Sequence, residues 1–315
     1  MMFTMVTASP GMAGEPAQFP VKPVRLVIGA APGGTPDILA RILAPKLAEQ
    51  MGQPVVIDNR PGAAGNIGAD VLAKAPRDGY TVMIATAPLA VSPSFYKKLP
   101  YDPIRDLAPV TQLASQALFL FTHVDTPVRT LGELIAMVKA KPGAVSYASF
   151  GNGSPQHLVA ELLALNAGLK LIHVPYKSGG LMVTALLSRE VQFMFLGLSP
   201  ALPHVKAGRL RTVAMASAAR SQFAPDVPTI VESGVAGVVV DNWLSVFTTG
   251  GTPKTIVDRL NAEIIKAVRT PEVAARITEQ GVEIVTSTPD EFGAFFKSEI
   301  MKFEKVVIAA GIERQ

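Results

Sequence analysis

Two short loops carry the residue types that hold a small anion. Gly33-Gly34-Thr35-Pro36-Asp37 and Gly151-Asn152-Gly153-Ser154-Pro155 each run from glycine through a hydroxyl residue to proline, between a strand pattern and a helical one. At the carboxyl end of a parallel strand such a loop leaves the first N–H groups of the helix without partners, and an anion finds donors there. Glycine adds positive φ and close backbone approach. Either loop alone reads first as a turn with Thr35 or Ser154 capping its helix. The pair, one in each half, favours an anion cradle from Pro32 to Asp37 with a second jaw at Gly151 to Ser154.

Other reactive types are sparse. The histidines His123, His157, His173 and His204 are dispersed, without metal-ligand spacing. His157, three residues after Ser154, has two readings: a ring that reaches the cleft, or a partly buried histidine satisfied by backbone. A Ser154–His157 hydrolase lacks a GxSxG elbow, and a serine capping its own helix is poorly placed to attack, so a binding protein is expected rather than an enzyme. Tyr176 and Lys177 follow a strand and precede Ser178-Gly179-Gly180, which puts them at a strand's carboxyl end; Lys177 also reads as an ordinary solvated lysine. The glycines Gly62, Gly65 and Gly68 do not form GxGxxG and no Walker loop is present, so no cofactor is expected. Trp243, the single tryptophan, reads as core or as a wall beside a hinge.

The elements that must position these residues alternate. Strand patterns at 24–28, 55–57 and 81–85 enclose helical patterns at 38–51 and 67–74, and the cycle restarts with a helix at 131–139, a strand at 145–148 and a helix at 155–166. Further strands follow at 171–174, 191–195 and 211–215. This is an α/β chain with parallel sheets covered by helices on both faces. Pro45 inside the first helix predicts a kink or a helix in two pieces, at a cost of about 3 kcal/mol. Thr-Pro pairs at Thr252, Thr270 and Thr288 announce a helical C-terminal third.

With 315 residues, 49% hydrophobic and 17% charged, the chain is expected to fold throughout as two lobes. Its net charge of +4 arises from 29 basic and 25 acidic residues without a basic run, which argues against nucleic acid. There are no cysteines, so thiolate sites are excluded. The apolar run near Val238 is far shorter than the roughly 20 residues of a membrane span. The lobes are expected to take 21–122 with 241–315, and 123–240. Residues 1–20 read as a leader remnant or a disordered arm.

Taken in order, several segments resemble the Bug-type (TctC-like) solute receptors of tripartite tricarboxylate transport systems. They include APGGTPDILAR from Ala31, GQPVVIDNRPGAAGNIGAD from Gly52, YASFGNGSPQHL from Tyr147, HVPYKSGG from His173 and ALPHVKAGRLRTVA from Ala201. The resemblance covers nearly everything from Pro20 to Ile312. It implies a periplasmic-binding-protein type II (Venus flytrap) fold, two doubly wound lobes joined by two crossover strands, and a periplasmic, monomeric protein that delivers a small carboxylate to membrane permease subunits. Carried over, the ligand contacts fall on Ala31, Gly33, Gly34, Asp37 and Thr86 in one lobe and on Ser149, Gly151, Asn152, Ser154 and His157 in the other. Tyr176 joins them by its place after a strand. Two positions depart from the family: Ala30 stands where a bulky aromatic is usual, and Leu196 where Asp is common. If both line the cleft, the pocket is roomier and less polar, suited to a larger or partly aromatic monocarboxylate. The alternatives are a small-ester hydrolase acting at Ser154 and the ligand-sensing effector lobe of a regulator. The latter would need a helix-turn-helix before the first strand, where too few residues stand.

Overall fold

The computed structural model describes residues 19–309 together with 311, 312 and 314. The leader expected at 1–20 therefore lies almost wholly outside the described residues. The chain opens with β1 (Val24–Ile28), α1 (Thr35–Met51), β2 (Val55–Asn59), α2 (Asn66–Ala73), β3 (Thr81–Thr86), α3 (Pro88–Phe95) and β4 (Leu107–Gln116). It continues with β5 (Phe119–His123), α4 (Leu131–Ala140), β6 (Val145–Ser149), α5 (Pro155–Ala167), β7 (Leu171–Pro175), α6 (Gly179–Leu187), β8 (Phe193–Leu196), α7 (Leu198–Lys206) and β9 (Leu210–Met215). The last part holds β10 (Asn242–Thr249), α8 (Lys254–Val268), α9 (Pro271–Thr278), β11 (Glu283–Ile284) and α10 (Pro289–Ala309).

These strands make two sheets, one ordered β11-β4-β10-β3-β1-β2 and the other β7-β6-β8-β5-β9. Each has a parallel part, β2-β1-β3 or β7-β6-β8, as the alternating pattern predicts. Neither is parallel throughout: β10 runs antiparallel to β3 and β4, and β5 antiparallel to β8 and β9. The reason is the exchange between sheets. β4 passes directly into β5, and β10 returns between β3 and β4, so each crossing strand enters its new sheet against the local direction. At the crossing Ala216 N–H donates to Leu118 O and Val240 N–H to Ala216 O, both at 2.8 Å, which ties the outgoing and returning chains together through Ala216. Phe119–His123 thus pairs within the second sheet, although the division expected at 122/123 put most of it in the first lobe; no glycine or proline marks the change.

Local chemistry explains the elements that matter for the site. In α1, Leu39, Leu43 and Leu47 pack with Leu26 and Ile28 of β1 and with Leu260 and Ile264 of α8. Gly52 ends the helix in the left-handed conformation, φ 66°. One helix runs through Pro45 instead of breaking there. Pro45 and Arg41 are both exposed, so water takes the carbonyl that the proline leaves free, and burial of the opposite face outweighs the loss. Of the three Thr-Pro pairs only Thr288 caps with its side chain, accepting Glu291 N–H at 3.2 Å while Glu291 Oε2 accepts Thr288 N–H at 2.8 Å.

Trp243 is core. It is fully buried in β10 against Phe292, Phe295 and Phe296 of α10 and donates Nε1–H to the buried Glu299 at 3.1 Å. Trp243→Phe keeps most of the packing and removes that donor, so we expect a loss of about 1.5–3 kcal/mol, the value of a hydrogen bond to a charged group. A urea melt followed by circular dichroism reads it, and an unchanged midpoint would contradict the role given to the indole N–H.

Candidate functional site

The loop after β1 is held from behind. Asp37, 2% exposed, accepts Gly33 N–H at 2.9 Å and Arg41 Nε–H at 2.9 Å on one oxygen, and Asn59 Nδ2–H at 3.0 Å on the other. Asn59 also donates to Ala30 O at 3.2 Å, and Gly34 N–H donates to Ala31 O at 3.3 Å. The bond to Arg41 and then those from Gly33 and Asn59 hold the Asp37 carboxyl down at about 2 against the effect of burial. Asp37 therefore braces the loop, and it is not among the residues that line the cleft between the sheets. The N–H groups of Gly33 and Gly34 are both occupied, so the donors this jaw can offer are those of Thr35 and Asp37, at the first and third positions of α1. Thr35 is not the cap: Gly34 occupies that position, and no side chain caps the helix.

The second loop is braced in a similar way. Ser149 is fully buried; its Oγ bonds His173 Nε2 and accepts Gly151 N–H at 2.9 Å. His157 Nδ1 accepts Gly153 N–H at 3.2 Å, and its ring stacks on His173 with centroids 4.3 Å apart and on Tyr147 at 6.5 Å. Tyr147 OH donates to Glu161 at 2.7 Å. Ser154 Oγ accepts His157 N–H at 3.3 Å, so it caps α5, and the His157 ring turns to Gly153 rather than to that hydroxyl. No Ser154–His157 dyad forms.

Burial and then the neighbouring His173 push His157 down to about 4, and burial lowers His173 as well. Unfolded, each takes a proton near 6.5; folded, only at lower pH. Their stabilisation is thus present above 6.5 and drains away as pH falls towards 4. Asp241, raised to about 6 by burial, with Lys302 opposing and Glu299 and Glu283 adding, works the other way over that window. We expect His157→Gln, whose amide oxygen can still accept from Gly153, to lose less melting temperature than the wild type between pH 6.5 and 4. Parallel thermal melts test this; identical slopes would refute it.

Between the sheets lies a cleft of about 500 Å³. Of the residues expected at the site, Gly33, Gly34, Thr86 and Leu196 line it. Ala30 lines a small void behind it, with Pro36 and Thr86 common to both. Ala31 and Asn152 are exposed outside it, whereas Asp37, Ser149, Gly151, Ser154 and His157 support the loops. Tyr176 is directed elsewhere, donating its hydroxyl to Glu190 at 2.8 Å, and burial pushes that phenol up to about 12.

Thr35 and Pro36, within the loop expected to hold the anion, line the cleft too, and the remaining lining residues were not among those expected at the site. At the crossing stand Gln116, Asn242 and Leu244; Asn242 Nδ2–H donates to Gln116 Oε1 at 3.3 Å. From the second sheet come Phe150, Gln156, Ser178, Gly179, Gly180, Gly197 and Pro200. Ser178 caps α6 by accepting Leu181 N–H at 3.3 Å. Gly197 precedes α7, and a Cβ there would meet Gln116 Nε2 at 2.8 Å. The only sequence signal for this wall was Ser178-Gly179-Gly180 after a strand.

The starts of α1, α5, α6 and α7 thus converge on a cleft that no charged side chain lines. Each brings the positive end of a helix dipole and at least one unpartnered N–H, which for α5 is that of Gln156 alone. Such an arrangement attracts an anion without a lysine or arginine, and Phe150, Leu196 and Leu244 offer its remainder an apolar bed. Among the described residues no cluster of acidic side chains and histidines is placed to hold a metal ion, and no helix is long and apolar enough to cross a membrane.

A model of the family described as "Tripartite tricarboxylate transporter family receptor" matches residues 39–312. Among curated proteins, BugT of Bordetella pertussis is 37% identical over 295 residues, 93% of this chain and 90% of BugT. Among solved structures, R. palustris Rpa4515 with adipate superposes with a TM-score of 0.81 at 34% identity, covering 94% of this chain and all of Rpa4515. The periplasmic binding protein BugD gives a TM-score of 0.78 at 29% identity, covering 94% of this chain and 100% of BugD.

Proposed function

The chain belongs to the tripartite tricarboxylate transporter receptor family, and from that premise we propose that it is an extracytoplasmic solute-binding protein that captures a small carboxylate in its cleft and hands it to the membrane subunits of such a transporter. The observation that carries this is the convergence of four helix starts on a cleft without charged side chains. A carboxylate is the small anion whose two oxygens suit paired backbone N–H groups. In this reading Thr35 and Asp37 of α1 supply one pair, and Gly179 and Gly180, the first two residues of α6, line the cleft with N–H groups to offer as a second. The lobes close on the ligand because contacts with both walls exist only when they meet. Adipate in Rpa4515 supports the ligand class, and BugD supports the compartment.

The body of the ligand meets Phe150, Leu196, Leu244 and Pro200. Leu196 puts an apolar side chain where a second carboxylate would need a hydrogen-bond donor or a cation, and Ala30 leaves a small space behind Thr86. We therefore favour a larger, partly aromatic monocarboxylate over a short dicarboxylate. Thermal-shift measurements with benzoate, phenylacetate, adipate, succinate and aspartate test both levels. Stabilisation by no carboxylate would refute the binding function; a clear preference for succinate or aspartate would refute the apolar body. Mass spectrometry of the molecule released from purified protein identifies the natural ligand.

A further inference from the structure

One buried polar side chain of the cleft has an atom without a partner. Gln156, at the second position of α5, lines the cleft yet is only 3% exposed, and its Oε1 is buried without a hydrogen-bond donor among the described residues. The two other carboxamides of the cleft are matched, Asn242 to Gln116 at 3.3 Å. The nearby apolar wall offers nothing: Leu196 and Phe150 converge on Gly179, where a Cβ would meet their carbons at 3.5 and 3.7 Å. Buried amide oxygens are nearly always paired, and of the orphaned side-chain atoms among the described residues, on Gln50, Asp70, Thr122, Gln156 and Ser245, that of Gln156 alone belongs to a residue lining the cleft, where a ligand can supply the partner.

A carboxylate accepts hydrogen bonds and donates none, so the anionic end of the ligand cannot satisfy Gln156 Oε1. The donor must sit on the ligand's body. A hydroxyl is the group that fits a carboxamide whichever way the amide is turned, because it donates to the oxygen and accepts from the nitrogen. On the carboxylate reading above, we infer that Gln156 is a specificity-determining residue that reads a hydroxyl on the ligand, so that the cleft selects hydroxycarboxylates over their deoxy counterparts. The helix starts fix the charge, the apolar wall fixes the bulk, and Gln156 fixes the substitution. Discrimination of this kind is steep, because the deoxy compound leaves the site's buried polar group unpaired.

The test is calorimetric titration of the full chain with matched acids: benzoate against its 2-, 3- and 4-hydroxy derivatives, succinate against malate, and adipate against 2- and 3-hydroxyadipate. In at least one pair the hydroxy acid should bind about ten-fold or more tightly than its partner. Gln156→Met keeps length and removes both polar atoms, and should bring that ratio to about two-fold or less by weakening the hydroxy acid alone. Gln156→Asn withdraws the amide by one methylene and should do the same, which keeps the test decisive if the methionine variant folds poorly. Equal binding within every pair in the wild type overturns the assignment and leaves the carboxylate reading intact. A ratio that survives in both variants overturns it too. Absence of heat with every acid overturns the carboxylate reading, and this inference with it.

Discussion

Asp37→Ala is expected to weaken adipate binding by about 100-fold or more and to lower the melting temperature, although the side chain faces away from the cleft. Its carboxylate is the acceptor for Gly33 N–H, Asn59 Nδ2–H and Arg41 Nε–H. Alanine removes the acceptor of the Gly33 N–H and of one Asn59 N–H; Gly33 is exposed and Asn59 half-buried and still bonded to Ala30 O, so each lost bond costs about 1 kcal/mol. Among the described residues the loop then keeps only the bonds Gly34 N–H to Ala31 O, Ile38 N–H to Gly34 O and Asn59 Nδ2–H to Ala30 O, so it relaxes, and the N–H groups of α1 lose their aim. Asp37→Asn retains one accepting oxygen and should fall between wild type and alanine. Acid acts on the same brace much later. The folded carboxyl titrates at about 2 and the unfolded one near 3.8, so this contribution is complete above pH 4 and is lost as pH falls through 2. Wild-type affinity in Asp37→Ala, measured by calorimetry, would remove the brace from the account.

Gly34→Val should show the converse, with folding kept and binding lost. Gly34 has φ −75° and ψ 160°, ordinary extended angles that valine adopts, and an added Cβ meets nothing nearer than Ala31 O at 3.4 Å. The stability change should therefore stay near 0.5 kcal/mol, as for other unstrained surface sites. The isopropyl group, however, stands in the cleft in front of the first N–H of α1, where the anion must approach. We expect adipate affinity to drop about 30-fold or more, equivalent to roughly 2 kcal/mol. Gly33→Ala makes a useful contrast, since φ of +83° there strains any side chain and should cost about 1–3 kcal/mol in folding. An unchanged Kd in Gly34→Val would place the ligand elsewhere.

The strand–helix rhythm of both halves was legible because period-2 and period-3.6 patterns, Gly52 and Gly168 at helix ends, and Pro36 and Pro155 at helix starts are all local signals. The crossing was not. β4 and β10 lie between other strands, β10 is buried almost throughout and so shows no alternation, and the residues that meet at the hinge, Gln116 and Asn242, are 126 positions apart. The site shows the same limit on a smaller scale. Motif reading found both loops but inverted some roles within them, because adjacent helical residues diverge by about 100°. Thus His157 turns into the stack with His173 while Gln156, one residue earlier, lines the cleft. Which of two neighbours faces a cleft is decided by the helix's rotation against its sheet, and that is set by packing across the whole lobe.

The position of Trp243 has a practical corollary. The chain's one indole follows Asn242, which lines the cleft, and is clamped between β10 and α10 beside Glu299. All indole emission therefore originates from one rigid place next to the crossing chains. If closure of the proposed lobes shifts β10 against α10, the field of Glu299 on that ring changes and the indole emission reports it. Benzoate and the hydroxybenzoates absorb in the same range and need calorimetry, but adipate, succinate and malate are transparent there and can be followed on the unlabelled chain.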